Sequence, residues 1–566
     1  MKASKYIAAV LPFVGSAWSS VKLDPSLIPK IGDALPIFKL GSPSTFQVDY
    51  LNELLQETNP GVKFDRNETL GPDLYAYNGD RLVGWVTAGG ETNWFPNLDG
   101  IEPLTGKDID ISRVNEFLSR TEAFPQDDTK FSIVPGSTLY GNTVTSRDPK
   151  EVAANLTTPQ VYLTHGIIER TIDFKGQTYP ICGPGSRASF GIGAQQQLLA
   201  LSHRWNPAGI TDQLIKPTST TRIIRTLTKE LEPIGQPAGS EVVIDKVDVC
   251  FYDSGESFIQ PVYRFSGVTH GNFTKVTVPP RVVAFLSIGE GSPEALPPVL
   301  KLEEGPPPTD HFVSQPPPAD EQLKARGVKP RLSVARYVVR NDIQQWVTSG
   351  QTFWSNLGSG LVDWSDDQWF WSHPFLYTTS KDSFINRADI ALTEAHGNYH
   401  LFSTSSNCCD LVSIDPDFPN TPTSGYGGGA RGRLGYWIIH SCSVIPTPVD
   451  FSAANFNRAF DPWWDVFNGM HAVLSYRTQM LIADGATAST ARAISLGVPV
   501  VGAWLQAVIT DSIYRGRPTY FDTNVNRIQP YGRPSAMFPC GHGDDRVWQT
   551  DNLGRPGCLT VVWYDN

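Results

Sequence analysis

Two apolar runs in the second half of the chain each stop at a residue with reactive chemistry. Residues 390–395 (IALTEA) lead into His396-Gly397, and residues 436–441 (YWIIHS) lead into Cys442. A short apolar run bounded by turn residues suits a strand buried in a parallel sheet. Ligands in such sheets sit beyond the carboxyl ends of the strands, where both His396 and Cys442 would emerge. The interval between the runs leaves room for a loop and a crossover helix. Residues 472–476 (AVLSY) and 559–564 read as further strands, and 486–496 as a helix stopped by Gly497. Residues 498–508 fit a strand or a helix equally. Alternating helix and strand predicts an α/β second half with a mostly parallel sheet.

The first half has a different texture. Amphipathic patterns at 44–56, 109–124 and 218–231 predict helices, the last capped by Thr or Ser. Strand-like runs fall at 167–174 and 189–192, joined by the turn-rich 182–186, and at 242–252, 258–265 and 282–286. This is an α+β region. Between the halves, 291–330 carries Pro297-Pro298, Pro306-Pro307-Pro308 and Pro316-Pro317-Pro318 and reads as a semi-rigid spacer, with a proline-rich ligand for a partner as the other option. The predicted organisation is a leader at 1–20, an α+β region at 21–290, the linker at 291–330 and an α/β domain at 331–566.

Composition narrows the functional class. In 566 residues, 40% are apolar and 18% charged, so the chain is globular and too long for one ordinary core. A net charge of −11 without any basic cluster excludes a nucleic-acid surface. Lys2 and Lys5, the apolar run from Tyr6 to Val14 and the small residues Gly15-Ser16-Ala17 predict a secretory signal. The run is too short to span a bilayer, so no stable membrane insertion is expected. Asn67, Asn155 and Asn272 open glycosylation tripeptides, consistent with a glycoprotein in the secreted or vacuolar-lumen space. The seven cysteines, an odd number, leave at least one thiol outside intrachain bridges; Cys182 with Cys250 and Cys540 with Cys558 are the bridges expected from location. Adjacent Cys408 and Cys409 are poor partners for each other.

Cysteine becomes a nucleophile when a base favours its thiolate, and histidine supplies that base near neutral pH. His396 and Cys442 are therefore the candidate base and nucleophile. The backbone N–H groups of Gly397 and Cys442 are the candidate oxyanion donors, Gly397 permitting close approach. On a strand His440 shares the face of Cys442; His400 and His471 are further candidates for lining the site, each of these histidines also readable as an ordinary core or rim residue, and Glu394 and Asn398 are candidates for orienting His396 or contacting substrate, each equally readable as a solvated position. His165-Gly166 and His542-Gly543 lack a matching strand with a downstream cysteine and are set aside. The aromatic crowd from Trp346 to Trp371 can line a groove, but reads better as a core and its rim. The loop 425–429 (GYGGG) reads as a lip beside the site and not as a phosphate loop. No HExxH or zinc-type spacing is present, so no metal or cofactor is expected.

The pattern ALTEAHG followed by YWIIHSC resembles the caspase–legumain–gingipain (clan CD) group of cysteine peptidases, over roughly 380–480. The run DPWWDVFNGMHAVLSYRTQM (461–480) is similar to a narrower set of such folds carrying GHG, an apolar strand with DAC and a GLH-xx-LGF-type segment. This chain departs from that set with Ala395 before His396 and with His440-Ser441 before Cys442. The resemblance implies a three-layer caspase-like sandwich, His396 as base, Cys442 as nucleophile, no cofactor, and a peptide or protein substrate. Residues 171–193 and 258–267 resemble the helix-plus-sheet modules of protease propeptides and PepSY domains, which implies a binding or inhibitory role for the first half; a purely structural role stands beside it. Three functions are thus open: a secreted Cys-His hydrolase of peptide or amide bonds, a non-catalytic binding protein on that fold, or a Cys-His isomerase or cyclase acting on a small metabolite.

Overall fold

The computed structural model describes residues 20–565 except 43–47, 66–72, 80, 107–108, 111, 117–123, 125, 156–157, 233, 235–240, 271–279, 300–329, 340–343, 359, 405–410, 415–423, 430–431, 483–484 and 524. The leader, the tripeptides at Asn67 and Asn272, Thr157 of the third, most of the proline-rich linker, and Cys408 with Cys409 lie outside the described residues.

In the second half, the strands of the main sheet are β1 (Arg331–Val338), β2 (Asp363–Trp371), β3 (Ile390–Glu394), β4 (Tyr436–His440), β5 (Ala472–Tyr476), β6 (Pro534–Pro539) and β7 (Leu559–Asp565); the long helices are α1 (Gln344–Leu357), α2 (Gly485–Ser495) and α3 (Val500–Tyr514). Strands β2, β1, β3, β4 and β5 lie side by side in that order, all parallel, and β6 and β7 extend the sheet antiparallel. Every residue of β3, β4 and β5 is buried. That is why these strands read as unbroken apolar runs and not as alternating ones: both faces are covered. Ile390, Leu392, Ile438 and Leu474 share one core with Ile494, Trp504 and Val508 of the helices, whereas Ala391, Trp437, Ile439 and Val473 share another with Tyr377, Phe402 and Phe460. Each large side chain so buried contributes about 1.5–3 kcal/mol.

The run 498–508 resolves as helix α3. Its apolar residues cover the whole circumference and Val500 through Ile509 are all buried, so no helical stripe marked it in the sequence. No helix is found in the crossover from β3 to β4 among the described residues. A small antiparallel sheet of 397–398, 401–403 and 411–413 stands there instead. The aromatic crowd is core and rim: Trp346 and Phe353 are buried, while Trp354 and Trp369 flank the Arg336 guanidinium at 5.2 and 4.2 Å.

The first half is built on long antiparallel pairs, Lys130–Val144 with Gln160–Phe174 and Glu241–Asp253 with Phe258–His270, the latter continuing to Arg281–Ser287. Helix Thr220–Leu231 begins where Ser219 Oγ accepts the Arg222 N–H, and it buries Ile223, Leu227 and Leu231. An extra strand, Gln177–Cys182, precedes the turn at 183–186. Disulfides join Cys182 to Cys250 and Cys540 to Cys558, as their locations suggested. The two halves share one sheet: β7 pairs antiparallel with Lys130–Val144, Leu559 opposite Val144. Val242 and Phe265 of the first half lie in the same core as Trp437 of the second. No described helix is long and apolar enough to cross a membrane.

Candidate active site

Chain order reverses beside β1. From β1 the chain goes outward to β2, then returns to β3 on the other flank of β1. Such a switch point opens a crevice at the carboxyl ends of the strands. His396 follows β3 there, and Cys442 follows the neighbouring β4. Their backbones are interlocked: a Cβ on Gly397 would stand 2.3 Å from Ser441 Oγ and 2.8 Å from the Cys442 carbonyl oxygen, so only glycine fits.

One residue pair below, the last rungs of three strands carry a buried polar row. Glu394 lies opposite His440, and the β4–β5 register, continued two residues, sets His440 opposite Tyr476. His440 Nδ1 is 2.6 Å from Glu394 Oε2, and His440 Nε2 is 3.2 Å from the Tyr476 hydroxyl. Trp504 packs edge-on to both rings. Burial pushes the Tyr476 hydroxyl well above its ordinary range, so it stays protonated. With Nδ1–H donating to the carboxylate, Nε2 accepts the phenol. Glu394 therefore orients His440, and not His396.

His396 is buried. Its backbone N–H donates to Ser403 Oγ at 3.2 Å, its carbonyl accepts from Ser403 N at 2.8 Å, and its ring meets the Trp346 ring edge-on at 4.5 Å. Cys442 is 1% exposed and lies outside both disulfides. Its Sγ accepts the Met480 N–H at 3.4 Å. Burial pushes the thiol up to about 12, outweighing the backbone donors that pull it down. Asn398 Oδ1 accepts the Tyr399 N–H, and His400, at φ +59°, turns the hairpin and stacks on Phe451. Gly397 is paired with Phe402 in that hairpin.

Two expectations need correction. His471 precedes β5, and is therefore at the opposite, amino end of the sheet from Cys442. Its ring pairs with Asp545. The loop 425–429 is no lip beside the site. It is packed at the same amino ends, with Tyr426 N–H donating to the Val466 carbonyl and Gly427 against Met470. Its glycines at 425, 427 and 429 have positive φ, the reason for that composition.

What the sequence did not reveal is the segment over the sulfur. Residues 477–482 follow β5 and bring Met480 to Cys442. They are held from the first half: Arg281 N–H donates to the Met480 carbonyl at 3.4 Å, and the Arg281 carbonyl accepts from Ile482 at 3.0 Å. The Arg281 guanidinium forks onto the Asp245 carboxylate and lies 5.4 Å over the Tyr531 ring. Tyr520, in contact with Tyr531, accepts the Gln479 N–H through its hydroxyl. Beside this segment, a cavity of about 230 Å³ is lined by Val282, Gln345, Ile482 and Tyr514 among others. At the start of the segment Arg477, fully buried, forks onto Asp450 at 3.0 and 2.8 Å. None of these contacts has a local spacing to read, because each joins residues remote in the chain.

The fold and site thus define a mixed α/β protein with a cysteine and a histidine at a sheet switch point. A family model described as "Domain of unknown function (DUF6345)" matches residues 334–528, a span holding most of β1, all of β2 through β5, His396, Cys442 and the polar row. No curated protein matches the chain. Among solved structures it is similar to an uncharacterized protein from Eubacterium rectale ATCC 33656, at 8% identity and a TM-score of 0.26, over 47% of this chain and 87% of that one; a likeness of that size carries no functional weight.

Proposed function

We propose that this protein is an exported hydrolase of peptide or amide bonds, with Cys442 as nucleophile and His396 as base, kept latent by its own first half. The observation that carries the reading is the interlocking of His396-Gly397 with Ser441-Cys442 at the carboxyl ends of neighbouring parallel strands. The strand order and the reversal beside β1 support a caspase–legumain-like sheet, with α2 and α3 covering one of its faces. Two disulfides support export, since such bridges persist in oxidising compartments.

In the reaction, His396 takes the thiol proton as sulfur attacks the carbonyl carbon, and the oxyanion is met by backbone N–H groups. Collapse expels the amine, which leaves with that proton, and water then hydrolyses the thioester. The Glu394–His440–Tyr476 row is a positioning device under the two strand ends. Latency follows from the thiol at about 12. Only about one molecule in 10⁵ is thiolate at pH 7. The Arg281 clamp keeps Met480 and its neighbours over the sulfur, which supports an inhibitory role for the propeptide-like region. Activation requires that clamp to loosen.

The depth of the sulfur favours a second reading, a binding protein on the same scaffold without catalysis. A fluorogenic peptide and amide library separates the two, applied to intact protein, to protein cut within 300–329, and to C442A and H396A. Turnover that appears on cutting and vanishes in both variants supports the hydrolase. No turnover in any form, with Cys442 unlabelled by iodoacetamide even after cutting, refutes it.

A further inference from the structure

The amino ends of β4 and β5 carry a cluster that the proposed chemistry does not use. His471, just before β5, is 1% exposed. Its Nδ1 lies 2.5 Å from Asp545 Oδ2, and His542 Nδ1 lies 2.7 Å from the same oxygen. The two imidazole rings stand at 89° with centroids 5.8 Å apart. One ligand atom from each of the three residues falls within 4.8 Å of the others. His542 and Asp545 sit in the loop closed by the Cys540–Cys558 bridge, which folds back under the sheet.

Proton bookkeeping makes the cluster more than a hydrogen-bond network. A neutral imidazole has one N–H. His471 faces two acceptors, because Nε2 is 2.8 Å from the Asp551 carbonyl oxygen while Nδ1 faces the Asp545 carboxylate. If Nε2–H serves the carbonyl, the Nδ1 lone pair points at a carboxylate oxygen inside the protein. Two acceptors in contact repel unless a cation, either a second proton on the imidazole or a metal ion, lies between them. Donation of the outer N–H to a backbone carbonyl is also the usual way a metal-binding histidine is oriented. Asp545 is oriented in turn, its Oδ1 accepting Gln549 Nε2 at 3.1 Å. His542, with its side chain 33% exposed, gives the site a face to solvent.

We propose that His471, His542 and Asp545 bind one divalent transition-metal ion of the zinc class, with water completing the shell. Two imidazole nitrogens and one carboxylate suit zinc or cobalt(II), and not calcium or magnesium, which prefer oxygen. At metal–ligand distances of about 2.0–2.2 Å, tetrahedral ligand atoms stand about 3.3 Å apart. Binding therefore requires the Asp545 carboxylate and the partly exposed His542 ring to turn outward by a fraction of an ångström. The ion would clip the disulfide-closed loop to the sheet, at the end away from Cys442.

The test uses tag-free full-length protein, stripped with chelator and dialysed. Zinc is added by calorimetric titration, and cobalt(II) is followed by its visible absorption. One site per chain in the micromolar range or tighter is expected, with an intense tetrahedral cobalt band and a melting temperature raised by zinc. H542Q, at the exposed ligand, should weaken binding at least tenfold and abolish the cobalt band. H373Q, outside the cluster, should bind as wild type. No binding by wild-type protein at 100 µM zinc, or equal binding by H542Q, overturns the proposal and leaves His471 and Asp545 as a hydrogen-bonded pair.

Discussion

The latent-thiol reading makes a quantitative claim about Cys442. An ordinary cysteine titrates near 9.0, so about 3% is thiolate at pH 7.5; a thiol at about 12 is thiolate in only about 3 molecules in 10⁵. On that ratio alone, alkylation of Cys442 by iodoacetamide should run about 1,000-fold slower than that of an exposed cysteine. Its rate should climb about tenfold per pH unit from 7 to 10 with no plateau. Reaction also requires residues 477–482 to move off the sulfur. Arg281→Ala removes the fork onto Asp245, whose side chain is 40% exposed, and the stacking on Tyr531. Hydrogen bonds to a charged group are worth about 1.5–3 kcal/mol, so the covering segment should open roughly 10- to 100-fold more often. The labelling rate should rise by that factor if opening is fast. The assay follows the Cys442 peptide by mass spectrometry, which separates it from Cys408 and Cys409. A plateau near pH 8–9 at the rate of an ordinary thiol would refute the assigned environment. An R281A rate equal to wild type would refute a role for the Arg281 side chain in holding that cover.

Other consequences follow from the same contacts. Gly397→Ala places a methyl group against Ser441 Oγ and the Cys442 carbonyl and should destabilise the protein by about 1–3 kcal/mol, measured by thermal melting. Arg477→Met removes the fork onto buried Asp450 and the pair with Asp565, leaving Asp450 the more distant Arg527, at a cost of about 3–5 kcal/mol; the double variant R477M/D450L should recover part of it, and equal damage in single and double variants would contradict the pairing. The Cys442 thiol also sets an alkaline limit. Its folded value is raised above the ordinary 9.0 to about 12, so folding is favoured in full below pH 9. As the unfolded thiol ionises, stability falls between pH 9 and 12 by up to about 4 kcal/mol. C442S should show a shallower decline over that window in denaturant titrations.

Much of the second half was legible before any coordinates. The strands ending at Glu394, His440 and Tyr476 and the helix stopped by Gly497 (φ +99°) follow from local pattern, because burial on both faces forces an apolar run and positive φ calls for glycine; both disulfides match the pairs expected from location. Helix α3 was not, since a helix buried all round has no stripe. The loop 425–429 was misread because close packing selects glycine as readily as mobility does. His471 was misplaced because a histidine before a strand and one after it look alike in one dimension.

From its order of residues alone, the chain determines which segments are buried strands and that His396-Gly397 and Cys442 terminate two of them. Apolar run length and turn chemistry are local, and local rules read them. Tertiary structure alone decides that Glu394 serves His440, that Arg281 holds the cover over the sulfur, and that His471 meets Asp545 across 74 residues of chain. Those pairings depend on strand order and register. Both are settled by how the sheet buries its two faces, a property of the whole molecule and not of any window in it.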